Sequence, residues 1–188
     1  MKKISIMASI VLLSSTIASA RVFVGIQAGY DMGKFESVLR GNNGVLGSSA
    51  FSAIQDHNFY AGLDVGTEHI YNYVGFRWFV GVGYTSAFET AEINLGVDFL
   101  LNFLKSDRFS MGFYVGVGSS FQALINPALK GEIPILGRTG LSFGLGEHNR
   151  IDIGVQIPII TWSIEAFDKP FGIMYSPIRT QIGYKYIF

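Results

Sequence analysis

The sequence has no cysteine and few charged residues, and both absences narrow the possible functions. None of its 188 residues is cysteine, which excludes disulfides, thiol nucleophiles and cysteine-ligated metal sites. Charged residues make up 15% of the chain and cancel to a formal net charge of zero. Because no basic excess marks a surface for phosphate backbones, we expect no nucleic-acid partner.

Beyond its first twenty residues, the chain also lacks an apolar run of the roughly 20 residues that a membrane-spanning helix needs. The composition is nevertheless 49% hydrophobic and 14% aromatic, with 23 glycines and five prolines. A transmembrane β-strand spans a bilayer with about 9–11 residues. Only every second residue faces lipid and is apolar, so such strands contain no long apolar run. This composition therefore favours a membrane β-barrel.

The N-terminus has the three parts of a secretory signal peptide. Met1–Lys3 is positively charged, Ile4–Ile17 is apolar, and Ala18-Ser19-Ala20 is a small-residue cleavage site. We expect residues 1–20 to be a signal peptide, and residues 21–188 to form the mature barrel domain. The alternative of an uncleaved anchor is disfavoured because the apolar part is short for a span.

Apolar and polar residues alternate with a period of two along the rest of the chain, which predicts strands with two chemically different faces. In one such stretch Phe76, Trp78 and Val80 face one way, while Arg77 and Gly81 face the other. The fold predicted is all-β, a single antiparallel transmembrane β-barrel of about eight strands. The predicted strands cover residues 21–31, 59–66, 74–84, 91–103, 109–118, 132–145, 151–159 and 179–188.

Long and short connections alternate between these strands. The long ones are predicted over residues 31–58, 119–131 and 161–177, and short turns over 67–71, 105–108 and 146–149. The connection at 86–90 is also brief. Since short turns of such barrels face the periplasm and long loops face outside, both termini are predicted to be periplasmic. The loops at 31–58 and 161–177 are the candidates for contacts with outside molecules.

The polar face is predicted to line a narrow lumen and carries four acids and four bases. An eight-stranded barrel has an interior that side chains fill, and an unpaired charge buried there would be costly. We therefore predict a salt-bridge network, with a gated polar pathway as the alternative. Most strand glycines share this parity and leave room for larger inward side chains. The predicted network comprises Asp64, Arg77, Glu92, Asp98, Arg138, Asp152, Arg179 and Lys185.

Motifs for catalysis and metal binding are weak. Residues 140–144 spell a G-x-S-x-G hydrolase pattern around Ser142, but that motif requires a strand-to-helix turn. Glu68-His69 and Glu147-His148 are isolated pairs in predicted turns, and a metal site needs a cluster of ligands. The three histidines, His57, His69 and His148, are not predicted to converge. We predict no catalytic, cofactor-binding or metal-binding residue and no cofactor.

The last strand ends with apolar residues at alternate positions: Ile182, Tyr184, Tyr186 and Phe188. This ending resembles the C-terminal signature of Gram-negative outer-membrane β-barrel proteins, which the barrel-insertion machinery reads. The whole mature region resembles small outer-membrane barrels of the OmpA, OmpX and OmpW kind. The final six residues also look like the ends of Helicobacter-type outer membrane proteins. The resemblance implies an outer-membrane location, with membrane lipids and the insertion machinery as partners.

Such families include adhesins, structural barrels and small-solute channels, so the resemblance carries no functional residue to this chain. The favoured hypothesis is a monomeric, non-enzymatic barrel with a structural role or with outside loops that bind host surface molecules. The alternatives are a narrow channel for small or hydrophobic solutes and a lipid-modifying enzyme. A soluble barrel would place the apolar face inward, and the glycines on the polar face argue against it.

Overall fold

The computed structural model describes residues 20–39, 46–86, 89–106, 108–124, 131–164 and 177–188. The predicted signal peptide apart from Ala20, and residues 125–130 and 165–176 of the predicted long loops, lie outside these ranges. The described residues form eight strands. These are β1 (Arg21–Leu39), β2 (Leu46–Tyr71), β3 (Val74–Thr85), β4 (Thr90–Lys105), β5 (Phe109–Leu124), β6 (Gly131–Leu145), β7 (Asn149–Ile164) and β8 (Pro177–Ile187).

The eight strands close into one antiparallel barrel in sequence order, which confirms the predicted fold class. The first and last strands complete the wall, with Val24 opposite Tyr186 and Gly25 opposite Lys185. The amide of Phe188 donates a hydrogen bond to the carbonyl of Val22 at 2.8 Å, beside the short turns. Closure leaves no unpaired edge in the part of the wall where all eight strands meet. No helix among the described residues is long and apolar enough to cross a membrane.

The side chains of the wall follow the predicted alternation, with large apolar residues outside and polar residues inside. In β3, Phe76 and Trp78 are 48% and 46% exposed, whereas Arg77 between them is fully buried. Leu100, which interrupts the polar pattern of β4 in the sequence, points inward and is also fully buried. The barrel thus has its apolar surface outside and its charges inside, the reverse of a soluble protein.

Glycines on the inner face make room for four interior aromatic rings. Tyr114 lies against Gly140 and Gly154, Tyr60 against Gly62 and Gly83. Phe79 and Phe23 pack over Gly96 and Gly66 in the same way. A β-carbon at any of these glycines would overlap a tyrosine or phenylalanine side chain, so each of these rings occupies space that the glycines leave free.

Several predicted loops are instead strand. β1 and β2 pair from Arg21–Glu68 out to Leu39–Leu46, so most of the predicted loop at 31–58 is a β-hairpin. β5 continues to Leu124, and β7 to Ile164, beyond their predicted ends. Residues 31–58 largely lack the apolar alternation that predicts a membrane strand. The end of β7 does alternate, with Ile160, Trp162 and Ile164, but its parity changes at a register shift opposite Ile135 and Leu136.

The predicted turn at 67–71 is also wrong, because β2 runs on to Tyr71 and the chain reverses at Asn72 and Tyr73. Asn72 takes a positive φ of 53°, a conformation that asparagine tolerates better than most residues. Glu68 consequently lies on the inner face of the barrel, 5% exposed, rather than in a solvated turn.

The match between glycine and aromatic ring predicts the effect of Gly154→Ala. The new methyl group would overlap the Tyr114 hydroxyl and the Thr139 carbonyl, which lies 2.5 Å from its position. We expect a loss of about 1–3 kcal/mol in the free energy of unfolding, measured by urea titration of the protein folded in detergent. Gly183→Ala is the matched control, because its nearest atoms lie at 3.5 Å.

The double variant Gly154→Ala, Tyr114→Phe removes the hydroxyl and should recover part of the loss. Equal stability of Gly154→Ala and Gly183→Ala would contradict this packing.

Candidate functional site

The charged residues of the barrel interior are the candidate site. The structure places all eight residues of the predicted lumen network inside the barrel, each at most 5% exposed. Three further charged residues, Asp31, Glu68 and Arg150, lie there as well. Among the described residues, the interior therefore holds six acids and five bases rather than four of each.

Arg77 is the centre of the largest cluster. Its Nε and Nη2 donate hydrogen bonds to Asp98 Oδ2 at 3.1 and 2.7 Å, and its Nη1 donates to Asp152 Oδ2 at 2.7 Å. Lys185 Nζ donates to the same Asp152 oxygen at 2.7 Å. The cluster thus connects β3, β4, β7 and β8, and charge-assisted hydrogen bonds of this length are the strong class.

The cluster extends toward the end of the barrel that carries the short turns, which we call the turn end. Ser142 Oγ donates to Asp152 Oδ1 at 2.6 Å and accepts a bond of 3.0 Å from Arg150. Arg150 Nη2 lies 3.1 Å from Glu68 Oε1. Ser142 is therefore a buried link between two charged groups rather than an exposed nucleophile, as its position inside a strand predicts.

A second cluster surrounds Arg179 toward the opposite end, the loop end. The Arg179 guanidinium donates to Asp31 Oδ1 at 2.7 Å and to both oxygens of Glu92 at 2.9 Å. It also stacks over the Tyr60 ring, 3.8 Å from its centroid. Thr85 donates to Asp31 at 3.0 Å. One arginine thus joins β1, β4 and β8 across the lumen.

Arg138 and Asp64 lie between the two clusters. Arg138 stacks 4.1 Å from the Phe79 ring centroid, and its Nε lies 3.6 Å from Asp98 Oδ1, beyond hydrogen-bonding distance. Asp64 accepts a 2.8 Å bond from Gln27 and lies 3.8 Å from Lys185 Nζ. A cavity of about 10 Å³ remains beside these residues, which is room for about one water molecule.

Asp31, Glu68 and Arg150 could have been found from the sequence. Asp31 shares the parity of Gly29, Glu68 that of Asp64, and Arg150 that of Asp152. Asp31 is the last residue of its predicted strand, and extending the alternation by one or two residues past the predicted ends of the other two strands places Glu68 and Arg150 inside as well. Polar residues that are typical of turns lie beside these three positions, so the alternation is interpreted as ending there.

Neither of the two Glu-His pairs forms part of a metal-binding cluster in the described part of the chain. His148 lies in the turn after β6, stacks on Tyr186 with 5.7 Å between centroids, and has Nδ1 2.7 Å from the Ile187 carbonyl oxygen. His69 is half-buried on β2. No group of three or more potential metal ligands occurs among the described residues. The His57 side chain lies outside the described ones.

Large apolar side chains cover the outer surface of the barrel. The residues of the predicted C-terminal signature all face outward, and their exposed fractions run from 40% for Tyr184 to 66% for Phe188. A closed barrel with this distribution satisfies its backbone internally and presents hydrocarbon to its surroundings. The fold is that of a transmembrane β-barrel. Whether the insertion machinery reads its last strand stays a prediction of the sequence.

Comparison with known proteins yields similar folds only. No protein-family model matches the sequence, and no curated protein matches it. One similar structure is a de novo designed transmembrane β-barrel, 12% identical, covering 89% of this chain and 95% of its own, with a TM-score of 0.46. Another is Neisserial surface protein A, 13% identical, covering 89% and 97%, with a TM-score of 0.45. No residue role is transferred from either.

The geometry around Arg77 predicts that Asp152→Asn destabilises the barrel strongly. The change removes a charge that faces both Arg77 and Lys185 at 2.7 Å. Removing one partner of a buried ion pair costs about 3–5 kcal/mol, and we expect a loss of that size in urea unfolding of the detergent-folded protein. The exposed Glu147→Gln is the control, with an expected change within about 0.5 kcal/mol.

A double variant, Asp152→Asn with Lys185→Met, should recover part of the loss because it also removes the buried ammonium group whose nearest carboxylate is gone. Stability of Asp152→Asn equal to that of the control would contradict a structural role for the network.

Proposed function

We propose that this protein is an integral outer-membrane β-barrel of a Gram-negative bacterium, non-enzymatic, with a structural role and a surface-binding loop end. The inverted distribution of polarity carries the proposal. Exposed apolar side chains surround the wall, while eleven charged residues are buried within it. Exposed apolar side chains on the wall are unfavourable in water and favourable in the hydrocarbon of a bilayer.

Aromatic residues at both ends of the wall support membrane placement. Tyr30 and Phe59 pair on β1 and β2 at the loop end and are 40% and 58% exposed. Tyr71 and Tyr73 are exposed at the turn end, on either side of the β2–β3 turn. Amphipathic rings settle at the interfaces of a bilayer, as in the girdles of outer-membrane barrels. Lipids are therefore the proposed partners of the outer wall.

The packed interior supports a structural barrel over a solute channel. Arg77 and Arg179 each bridge the lumen from wall to wall, and both are bonded to two carboxylates. The cavity between the clusters has room for about one water molecule. A channel would require these buried hydrogen bonds to break together. Several buried charges would then lose their partners, which is costly.

The β1–β2 hairpin supports a surface-binding role. Pairing of β2 with β3 ends at Tyr60–Thr85, but pairing of β2 with β1 continues to Leu39–Leu46. The hairpin therefore projects beyond the neighbouring wall at the loop end. In the proposed orientation this end faces outside the cell, where a projecting hairpin reaches other surfaces first.

Membrane insertion without conductance is the first expected result. The folded protein in detergent should migrate differently before and after heating on a gel, because a closed barrel resists unfolding by the detergent. Reconstituted in a planar bilayer, it should give no unitary current steps, because bonded side chains fill its lumen.

The two measurements separate the alternatives. An unshifted band would count against the barrel in detergent, while a shifted band with regular current steps would support the channel. A large-pore porin serves as the positive control for the bilayer measurement.

The second expected result concerns the hairpin. Replacing residues 36–50 by a short glycine-asparagine turn should reduce adhesion of cells that display the protein to epithelial cells and to collagen-coated surfaces. The deletion spares Asp31, because removing that carboxylate would leave Arg179 without one of its two partners. Heat-dependent gel mobility confirms that the shortened variant is folded.

Cells that lack the protein set the background. Adhesion of the shortened variant equal to that of the full protein would exclude the hairpin as the binding element.

A further inference from the structure

The outer part of β2 has one backbone edge that no described strand covers. Between Leu46 and Ala53, β2 pairs with β1 alone among the described strands, whereas its pairing with β3 extends outward only to Tyr60. The Ser86 amide donates to the Phe59 carbonyl at 2.9 Å, and β3 ends at this level. We call residues 46–53 the open edge. The N–H and C=O groups of such an edge are a template for pairing with a strand of another molecule.

The open edge carries none of the residues that usually prevent strand addition. Natural edge strands are protected by charged side chains, lysine above all, or by proline. Residues 46–53 contain no charged residue and no proline. In the described part of the chain, two other strands continue at the loop end without β8 beside them, and both are protected. β1 carries Glu36 beyond its last pair at Lys34, and β7 carries Pro158 beyond its last pair at Gln156.

A second copy of the same edge is the partner that this sequence favours. Two copies of the open edge can pair antiparallel about a two-fold axis, which makes the contact self-complementary. Like charges on opposite strands would destabilise such a pair, and an uncharged segment brings none. The open edge is also longer than the usual strand of about 5–6 residues, so its backbone alone offers a full strand pair.

The direction of β2 decides where the second copy lies. Two barrels in one membrane point their β2 strands the same way, so that pairing of the two open edges would be parallel. Two barrels in facing membranes point these strands in opposite directions, and their open edges pair antiparallel, which is the slightly more stable arrangement per residue. The β1–β2 hairpin projects beyond the neighbouring wall, so the open edge is accessible from the facing side.

We propose that the open edge pairs with the open edge of a second copy on a facing cell, and that the protein thereby joins cells that display it. The inference rests on the proposed outer-membrane placement and names the partner of the proposed surface-binding hairpin. Backbone hydrogen bonds supply the contact, and the small uncharged side chains allow the two strands to approach.

The experiment measures clumping of cells that display the protein, by settling rate and by microscopy. These cells should clump more than cells that lack it. Variants with Ala50→Lys and Ser52→Lys, or with Ala50→Glu and Ser52→Glu, place two like charges on the open edge. Each variant alone should clump no more than cells without the protein, because facing charges repel. A mixture of the two, labelled in two colours, should form mixed clumps again because lysine then faces glutamate.

The matched control adds the same charge to the other strand of the hairpin. Phe35→Lys with Ser37→Lys alters β1 opposite Phe51 and Ser49, and this variant should clump like the natural protein. Heat-dependent gel mobility shows that each variant is folded, and surface labelling shows that equal amounts are displayed.

Three outcomes would overturn the proposal. These are no clumping above that of cells without the protein, undiminished clumping of the lysine or the glutamate variant, and no clumping of their mixture. Adhesion of the same cells to epithelial cells or collagen would then show that the hairpin binds a foreign surface instead of itself. A retained heat-dependent shift would show that the proposed barrel stands although its self-pairing does not.

Discussion

Every charge inside this barrel needs an opposite charge within reach, and the arrangement of the strands depends on that constraint. A buried carboxylate or guanidinium loses its water and is stable only when hydrogen bonds replace it. Arg77 and Arg179 meet the requirement by reaching across the lumen, the first from β3 to β7 and the second from β8 to β4. The same bonds that compensate the buried charges therefore hold opposite walls together and oppose a slip in strand register.

The long basic side chains need space, and glycine provides it indirectly. Interior rings lie over glycines of the inner face, and the guanidinium groups of Arg138 and Arg179 stack on two of those rings, Phe79 and Tyr60. Glycine, ring and guanidinium thus form layers that fill the middle of the lumen. A lumen filled in this way is a structural plug, which agrees with the proposed absence of conductance.

The sequence predicted the strand number, the outer faces and eight of the eleven interior charges, because alternation with a period of two reports directly on the two faces of a wall. It failed at the strand ends. Glu68 and Asp31 stand in polar stretches that are typical of turns, and their strands continue only because a neighbouring strand supplies hydrogen bonds. The alternation does continue through both residues, but the polar residues beside them are equally typical of a turn, and only the pairing shows that the strands go on.

The sequence by itself determined which residues face the lumen and that their charges nearly balance, because the face of a residue follows from its parity along one strand. Only the tertiary structure decided which charges pair. Arg77 meets Asp152, 75 residues away, and Arg179 meets Glu92, 87 residues away. These contacts depend on the stagger of strands around the closed barrel. Stagger is set by pairing and closure together, so no local pattern contains it.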